Sequence, residues 1–412
     1  MTSDSFGIVD CDSHFTEPPD LWSSRVPKSL ADRVPVQTTV DGRTYWFLNG
    51  ESWASVGGNT IEKGRKKIRG TMTLHPFDLI DEAAWSVPAR LALLDEIGVE
   101  AQVLYPNGVG FASNHIFAIE DPDQRTLILQ TYNDFGVDIQ HESGGRLLPQ
   151  SLLPTWDMDL TIKEIERLLD KGITGFTLSD KPELLGLPEL PEPYWAPMWS
   201  ILNDSGAVAN FHIGSGQRKQ DIEKLRAAAE GRQDAEGGKR AVPDVAPLAW
   251  NYLPYQRRFA VTSSQFPTSN MRIIVNLCMS DLFDRFPDLK IVSAESGIGW
   301  VPFILESMEW QLDEMVTHQA ELALQTRRPT EYFRGHIYVM FWFERLVPKY
   351  IDDIGVDNIL VETDVPHPTC LYPGPREHFD KVLAGVSPEA KRKIIHDNAA
   401  KLYGLDRALA AD

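Results

Sequence analysis

Seven residues spread from one end of the chain to the other are of the types that hold divalent cations or move protons. Near the start, "GIVDCDSHFTEPPDLW" carries Asp10, Asp12 and His14 at alternating positions. Much later come His212 in "NFHIGSG", Glu295 in "SAESG", and Asp364 and His367 in "ILVETDVPHP". A strand has a side-chain period of two, so Asp10, Asp12 and His14 are expected on one face, with Val9, Cys11 and Ser13 on the other. Neutral imidazoles mixed with carboxylates form a donor set for zinc, manganese or iron, and without a cation such close carboxylates would repel one another. Thiolate ligation is not expected, because Cys11 falls on the opposite strand face.

These residues are hundreds of positions apart, so the elements that carry them must bring them together. Eight short β-branched runs recur, at 7–14, 101–106, 147–154, 172–179, 206–214, 289–297, 335–344 and 357–368. Helical patterns lie between them, for example at 88–98, 160–172, 194–206 and 301–318, and Gly98, Gly172 and Gly206 stand where helix C-caps are expected. Alternating strands and helices predict parallel βα units, and eight of them predict a (β/α)8 TIM barrel. The third and sixth runs are the least strand-like, the third because Pro149 and Pro154 bracket it. In such a barrel the strand C-termini form the catalytic rim. Asp12, His14, His212, Glu295 and Asp364 all fall there, with His367 just beyond.

Two stretches do not fit the repeat and read as long βα-loop insertions, at about 18–86 and 214–272. The first contains "TTVDGRTYWFLNGES", whose Asp41-Gly42 and Asn49-Gly50 pairs predict hairpin turns. Both insertions are candidates for lids or substrate walls. One barrel domain spanning 1–412 is therefore expected.

With 42% hydrophobic residues the chain can bury a large core. Forty basic against 59 acidic residues leave a net charge of −19, which disfavours nucleic acid and anionic membranes as partners. The basic stretch "EKGRKKIRG" at 62–70 reads as a solvated loop, with a subunit contact or an anion-attracting lid as the functional alternative. Cys11, Cys278 and Cys370 make no disulfide framework, and neither a signal-peptide core nor a membrane-length apolar run is evident, so a cytoplasmic location is expected. Phosphate-binding loops, dinucleotide fingerprints and serine-hydrolase elbows are missing from the sequence. Asp10 is expected to support the site by hydrogen bonding, Glu17 to reach a substrate or hold a loop, and His115 to lie near the rim. Trp300, Trp310, Phe341, Trp342 and Phe343 are expected in the packing, and Asn398 to cap or orient the last helix.

The ordered set "DCDSHFTEP", "VLYP", "NFHIGSG", "FPDLKIVSAESGIGWVPFILESMEW", "VMFWFE", "ILVETDVPHP" and "HDNAAKLYGL" resembles the amidohydrolase superfamily. The branch it resembles includes the aminocarboxymuconate-semialdehyde and γ-resorcylate decarboxylases. The resemblance implies a metal held by Asp12 and His14 on the first strand, His212 on the fifth and Asp364 on the eighth, with Asp364 as general base. The chain departs from the pattern at Asp12, where the superfamily often has histidine, and at Glu295, where those decarboxylases present a histidine. Glu295 is then a metal ligand, a bridge or an acid/base group, and His367 a further catalytic or ligating group. The implied activity is hydrolysis or non-oxidative decarboxylation of a small carboxylated, cyclic or amide substrate on zinc or manganese. Two alternatives are an iron-containing dinuclear oxygenase and a metal-binding, non-catalytic partner subunit. The chain is expected to form a homo-oligomer or to pair with a related subunit.

Overall fold

The computed structural model describes residues 6–216, 250 and 252–405. All eight predicted runs contain strand. They are β1 (Ile8–Phe15), β2 (Val99–Pro106), β3 (Leu147–Pro149, resuming as Ser151–Leu152), β4 (Gly175–Thr177), β5 (Val208–His212), β6 (Lys290–Ala294), β7 (Ile337–Phe341) and β8 (Ile359–Val361). Every neighbouring pair is parallel, in the order first half of β3, β2, β1, β8, β7, β6, β5, β4, second half of β3. The two edges of this sheet are one segment broken at Gln150, so the ring closes on itself. The proline noted in the sequence explains the break, because Pro149 has no N–H to give a ladder. Gln150 fills the seam: its backbone N–H donates to Leu104 O (2.8 Å) and its Oε1 accepts from Asn210 Nδ2 (2.7 Å). A Cβ on Gly175 would lie 2.0 Å from that Oε1, so a larger residue there would push the Gln150 amide out of the seam.

Strand alternation sorts the barrel into two layers. Val9, Cys11, Ala101, Val103, Val208, Val292, Met340 and Leu360 pack together inside. Ile8, Leu104, Phe211, Ile291, Val339 and Val361 pack outward against the helices. The last helix, Asn398–Tyr403, sends Ala399 and Tyr403 into the inner cluster and so plugs one end of the ring. Asn398 Nδ2 donates to Val356 O and Ile359 O, orienting that helix against β8 as the sequence suggests. The four quoted helical patterns appear as Val87–Ile97, Met158–Leu169, Ala196–Ser205 and Val301–Met315. Phe341 and Trp342 are buried, but Trp310 (65% exposed) and Phe343 (55%) lie on the surface, contrary to the packing role expected of them.

The expected face assignment of the first strand is wrong in one respect. Between Asp10 and Ser13, β1 carries a bulge against β2, where the partners step from Gln102 to Leu104. The extra residue breaks the period of two. Val9 and Cys11 face the barrel interior, whereas Asp10 turns the other way and is saturated: it accepts from Ser13 Oγ (2.8 Å), Gln102 Nε2 (2.7 Å), Thr363 N (2.7 Å) and Thr363 Oγ1 (2.5 Å). Asp10 thus ties β1 to β2 and to the chain leaving β8, and past the bulge Asp12 and His14 reach the rim.

In the first insertion, Val36–Val40, Arg43–Leu48 and Glu51–Ser55 form an antiparallel sheet. Asp41-Gly42 and Asn49-Gly50 make its turns, all four residues having positive φ as type I′ geometry requires. The loop that follows grips the chain beyond β8, through Thr60 Oγ1 to Pro366 O (2.9 Å) and His367 O (3.1 Å). This insertion therefore forms one wall of the rim. Most of the second insertion lies outside the described residues; its later part includes the helix Tyr255–Gln265, whose Gln256 Nε2 donates to Gly70 O of the first (3.1 Å).

Replacing Asp10 by alanine strands the Gln102 and Thr363 donors in a dry interior, and should cost roughly 3 kcal/mol of unfolding free energy. Asp10→Asn, which keeps one acceptor oxygen, should lose less. Equal losses for the two variants in chemical denaturation would show that the carboxylate is not what joins these strands.

Candidate metal centre

Six of the seven residues singled out in the sequence converge at the C-terminal rim. Asp12, His14, His212 and Glu295 each offer a ligand atom within 4.8 Å of the others, as do His14, Glu295, Asp364 and His367. Asp10 is the one excluded, for the reason just given. His212 Nε2 lies 3.3 Å from Asp12 Oδ2 and 3.3 Å from Glu295 Oε2. His14 Nε2 lies 3.5 Å from Asp12 Oδ1 and 3.6 Å from Asp364 Oδ1. Asp12, His14, His212 and Asp364 are fully buried.

Hydrogen bonds fix which nitrogen each ring presents. His14 Nδ1 faces Pro106 O (3.0 Å) and His212 Nδ1 faces Ile213 O (2.8 Å). A carbonyl only accepts, so both Nδ1 atoms carry the proton and both Nε2 atoms turn a lone pair to the centre. His367 is reversed: its Nε2 faces Asn107 Oδ1 (3.3 Å), and its Nδ1 lies 2.9 Å from Asp364 Oδ1. Asn107 is itself oriented by Gly58 N donating to its Oδ1 (2.8 Å) and by its Nδ2 donating to Thr16 Oγ1 (2.9 Å). His367 stacks on His14 with ring centroids 3.7 Å apart, and a Cβ on Gly58 would sit 2.5 Å from its Cδ2.

Both oxygens of Asp12, Nε2 of His14 and of His212, and Oδ1 of Asp364 are buried without a hydrogen-bond partner. Buried polar atoms are rarely left so, and these are the atoms that point at one another. Burial above all holds the His212 imidazole neutral, its pKa lowered to about 4, and pushes that of His14 well below the ordinary value. Burial, then the charge of Asp364, raises the carboxyl pKa of both Asp12 and Glu295 well above the usual carboxylate range. Neutral imidazoles beside crowded carboxylates are what a divalent cation completes. The donor set therefore fits a cation of the zinc or manganese class.

The supports extend beyond what the sequence suggested. Asp364 stands past the end of β8 at φ 58°, its N–H donating to Asp12 O (2.8 Å), and Glu295 at φ 50° just past β6. Such left-handed backbone is uncommon for a residue with a Cβ and collects at functional sites. Buried Arg90 donates to His14 O (2.7 Å) and Gln102 Oε1 (2.6 Å), locking the backbone beneath the imidazole. Phe111 lies over His212 at 3.9 Å. Glu17 accepts from Asn107, Gly108 and Val109 N–H groups, so it holds the loop after β2. His115 lies on the short helix Asn114–Phe117, outside both groups.

Glu362 was not foreseen. It is fully buried and accepts the Glu295 N–H (3.1 Å), while Glu344 accepts from Ile298 N (2.7 Å) and Trp342 N (3.1 Å). Two carboxyl groups thus hold the turn that displays Glu295. The inward position of Glu362 was readable from its alternation with Leu360; its reach across β7 to the end of β6 was not.

Comparison with known proteins follows the same lines. A γ-resorcylate decarboxylase from a Polaromonas species is 22% identical over 334 residues, covering 77% of this chain and 87% of the relative. A solved amidohydrolase from Mycobacterium avium subsp. paratuberculosis superposes with a TM-score of 0.66 at 19% identity, over 97% of this chain and 98% of the other. A dihydroxybenzoic acid decarboxylase from a Polaromonas species, solved with manganese and the inhibitor 2-nitroresorcinol, gives 0.60 at 18% identity over 98% and 99%. The structural likenesses share the fold. No helix of the described residues is long and apolar enough to cross a membrane. The family model described as amidohydrolase matches residues 9–405, from the first strand through the last helix, and this chain belongs to that family.

Proposed function

We propose that this protein is a metal-dependent decarboxylase that removes carbon dioxide from a small hydroxylated aromatic acid without an oxidant. Asp12, His14, His212 and Asp364 hold one divalent cation, manganese or zinc. The observation that carries this reading is the set of buried, partnerless donor atoms on these four side chains, with His14 Nε2 3.5 Å from Asp12 Oδ1 and 3.6 Å from Asp364 Oδ1, and His212 Nε2 3.3 Å from Asp12 Oδ2. The choice of reaction is supported by the decarboxylases among the relatives, one of them a manganese-bound structure. None of the relatives named above is an oxygenase.

A bound cation supplies Lewis acidity toward a substrate oxygen. The chain's own part is to orient the acid and to move a proton. Loss of carbon dioxide leaves the bonding electrons on the ring carbon, which must take a proton. Glu295 stands beside His212, and in the metal-free chain burial, then the Asp364 and Asp12 charges, raises its carboxyl pKa well above the usual carboxylate range. It is the donor in this reading, filling the place of the histidine in the resembled decarboxylases, and its left-handed backbone, held by Glu362, aims it. Hydrolysis is the second reading. Glu295 is the observation that favours it, because the same carboxyl group, once ionised, can take a proton from water.

His14 Nδ1 is occupied by Pro106 O, so its single remaining lone pair serves one cation. The two four-residue groups share His14 and Glu295 and are alternative ligand sets around the same ion. Elemental analysis of manganese-reconstituted protein should find about one ion per chain, and His212→Ala should lose most of it while staying folded. Two ions per chain, or full loading of the variant, would overturn the mononuclear assignment.

Glu295→Gln should lower carbon dioxide release by about a hundredfold or more with metal content unchanged. An unaltered rate would remove Glu295 from the proton transfer, and ester or amide hydrolysis by the loaded protein without carbon dioxide release would favour the second reading.

Protons compete with the cation for Asp12, whose carboxyl pKa is raised, so its native protonated form is favoured at low pH and gives way to the ligating anion as pH rises. The neutral His212 form already prevails above about 4 and adds nothing in this window. The rise in Tm on adding manganese should therefore be larger at about pH 7.5 than at about pH 5.5. An increment that is flat or falls with pH would show that the ligand carboxylates are already ionised without metal.

A further inference from the structure

The second insertion, which the chemistry above leaves without a role, returns to the barrel through the helical turn Phe266–Asn270 and the helix Met271–Cys278. Ile273, Ile274, Leu277 and Cys278 bury that helix in the core, so Asn270 at its start is held in place. An asparagine in this position ordinarily turns its side chain to the first N–H groups of the helix. Asn270 makes no such bond. Its fully buried amide faces the ends of β5 and β6 instead, where Nδ2 donates to Phe211 O (2.6 Å), Ser293 Oγ (3.1 Å) and Ala294 O (3.3 Å). Carbonyls only accept, so the nitrogen is the side turned to the strands.

Phe211 O and Ala294 O belong to the peptide units that lead into His212 and Glu295. A peptide unit is planar, so fixing its carbonyl fixes the plane from which the next residue departs. The two side chains so placed meet with His212 Nε2 3.3 Å from Glu295 Oε2. Ser293 Oγ carries the tie on to Ser296 Oγ (2.7 Å), so Glu295 is bracketed on both sides. Phe211 pairs with Ser293 and packs toward the helices, so Asn270 grips the strand ends from behind the centre. The same segment also bears on the chain beyond His212, where a Cβ on Gly214 would lie 2.8 Å from Phe266 Cζ.

We propose that Asn270 is a positioning residue of the metal centre. By clamping the two peptide units it sets the spacing of His212 and Glu295, and it makes the returning end of the second insertion part of the frame of the site. It acts through those two residues and not by contact with the cation. The proposal rests on the proposed function in one respect, that His212 is a ligand of a divalent cation.

The test titrates cobalt(II) into the metal-free full chain, because the visible absorption of bound cobalt reports its ligands and their geometry. Asn398→Ala is the control: the Asn398 amide likewise donates to two backbone carbonyls, Val356 O (2.8 Å) and Ile359 O (2.9 Å), but at the opposite end of the ring. Both alanine variants lose comparable bonds and should lower Tm. Asn270→Ala should also weaken cobalt binding by about tenfold or more and shift the absorption bands, whereas Asn398→Ala should do neither. Asn270→Ser opens the same space with a polar lining for water, and makes the same comparison if the alanine variant does not fold. Wild-type affinity and spectrum in the folded Asn270 variants, or equal weakening in Asn398→Ala, would overturn the positioning role and leave the metal centre standing. A wild type that takes up no cobalt would overturn the metal centre, and this proposal with it.

Discussion

Asp12, Glu362 and Asp364 are buried and Glu295 is half-buried, all near enough for the charge of one to oppose ionisation of another. Each loses solvation, and together they repel, so the rim of this barrel is under a standing electrostatic penalty. Three features answer it. The imidazoles of His14 and His212 present lone pairs instead of protons, which would be the wrong arrangement for neutralising acids and is the right one for sharing a cation with them. Backbone N–H groups are turned toward Glu362 and Glu344, and Glu17 takes three more on the neighbouring loop. Asp10, lower on β1, adds its charge to the repulsion on Asp12 but is itself held by donors from Asp12, Ser13, Gln102 and Thr363.

The backbone is bent to fit this arrangement. A bulge in β1 lets Cys11 fill the interior while the next residue, Asp12, still reaches the centre. Left-handed φ angles at Glu295 and Asp364 swing two carboxyl groups over the strand ends. None of these departures from regular strand geometry is needed to build a barrel. All occur at the rim, where local strain is offset by the packing of the ring beneath it.

The pattern of eight strands, the helices between them and the hairpins at Asp41-Gly42 and Asn49-Gly50 were legible because each rests on a local signal: β-branched runs, helical spacing or a turn dipeptide. The convergence of His212, Glu295 and Asp364 with Asp12 and His14 followed from placing each at a strand end. The role of Asp10 as a tie was anticipated, but its side of the strand was misassigned, since a single extra residue in a strand leaves no mark on hydrophobic spacing. Glu362 escaped notice because a glutamate after an apolar run reads as the start of a polar loop; its buried role depends on the Glu295 backbone, which arrives from another strand. The surface positions of Trp310 and Phe343 escaped for the complementary reason, that aromatic side chains at regular spacing look alike whether or not anything covers them.

The ring is sealed by contact between its first and last strands: β1 lies between β2 and β8, and the partners of Asp10 are divided between Gln102 and Thr363. During synthesis the N-terminal strand emerges early and must wait for almost the whole chain before Thr363 and Asp364 leave the ribosome. Until then Asp10 lacks its Thr363 donors, and Asp12 and His14 have no partner from the chain leaving β8. A nascent chain therefore has no completed centre to load. The centre is thus a late product of folding, completed only when the first and last strands of the ring meet.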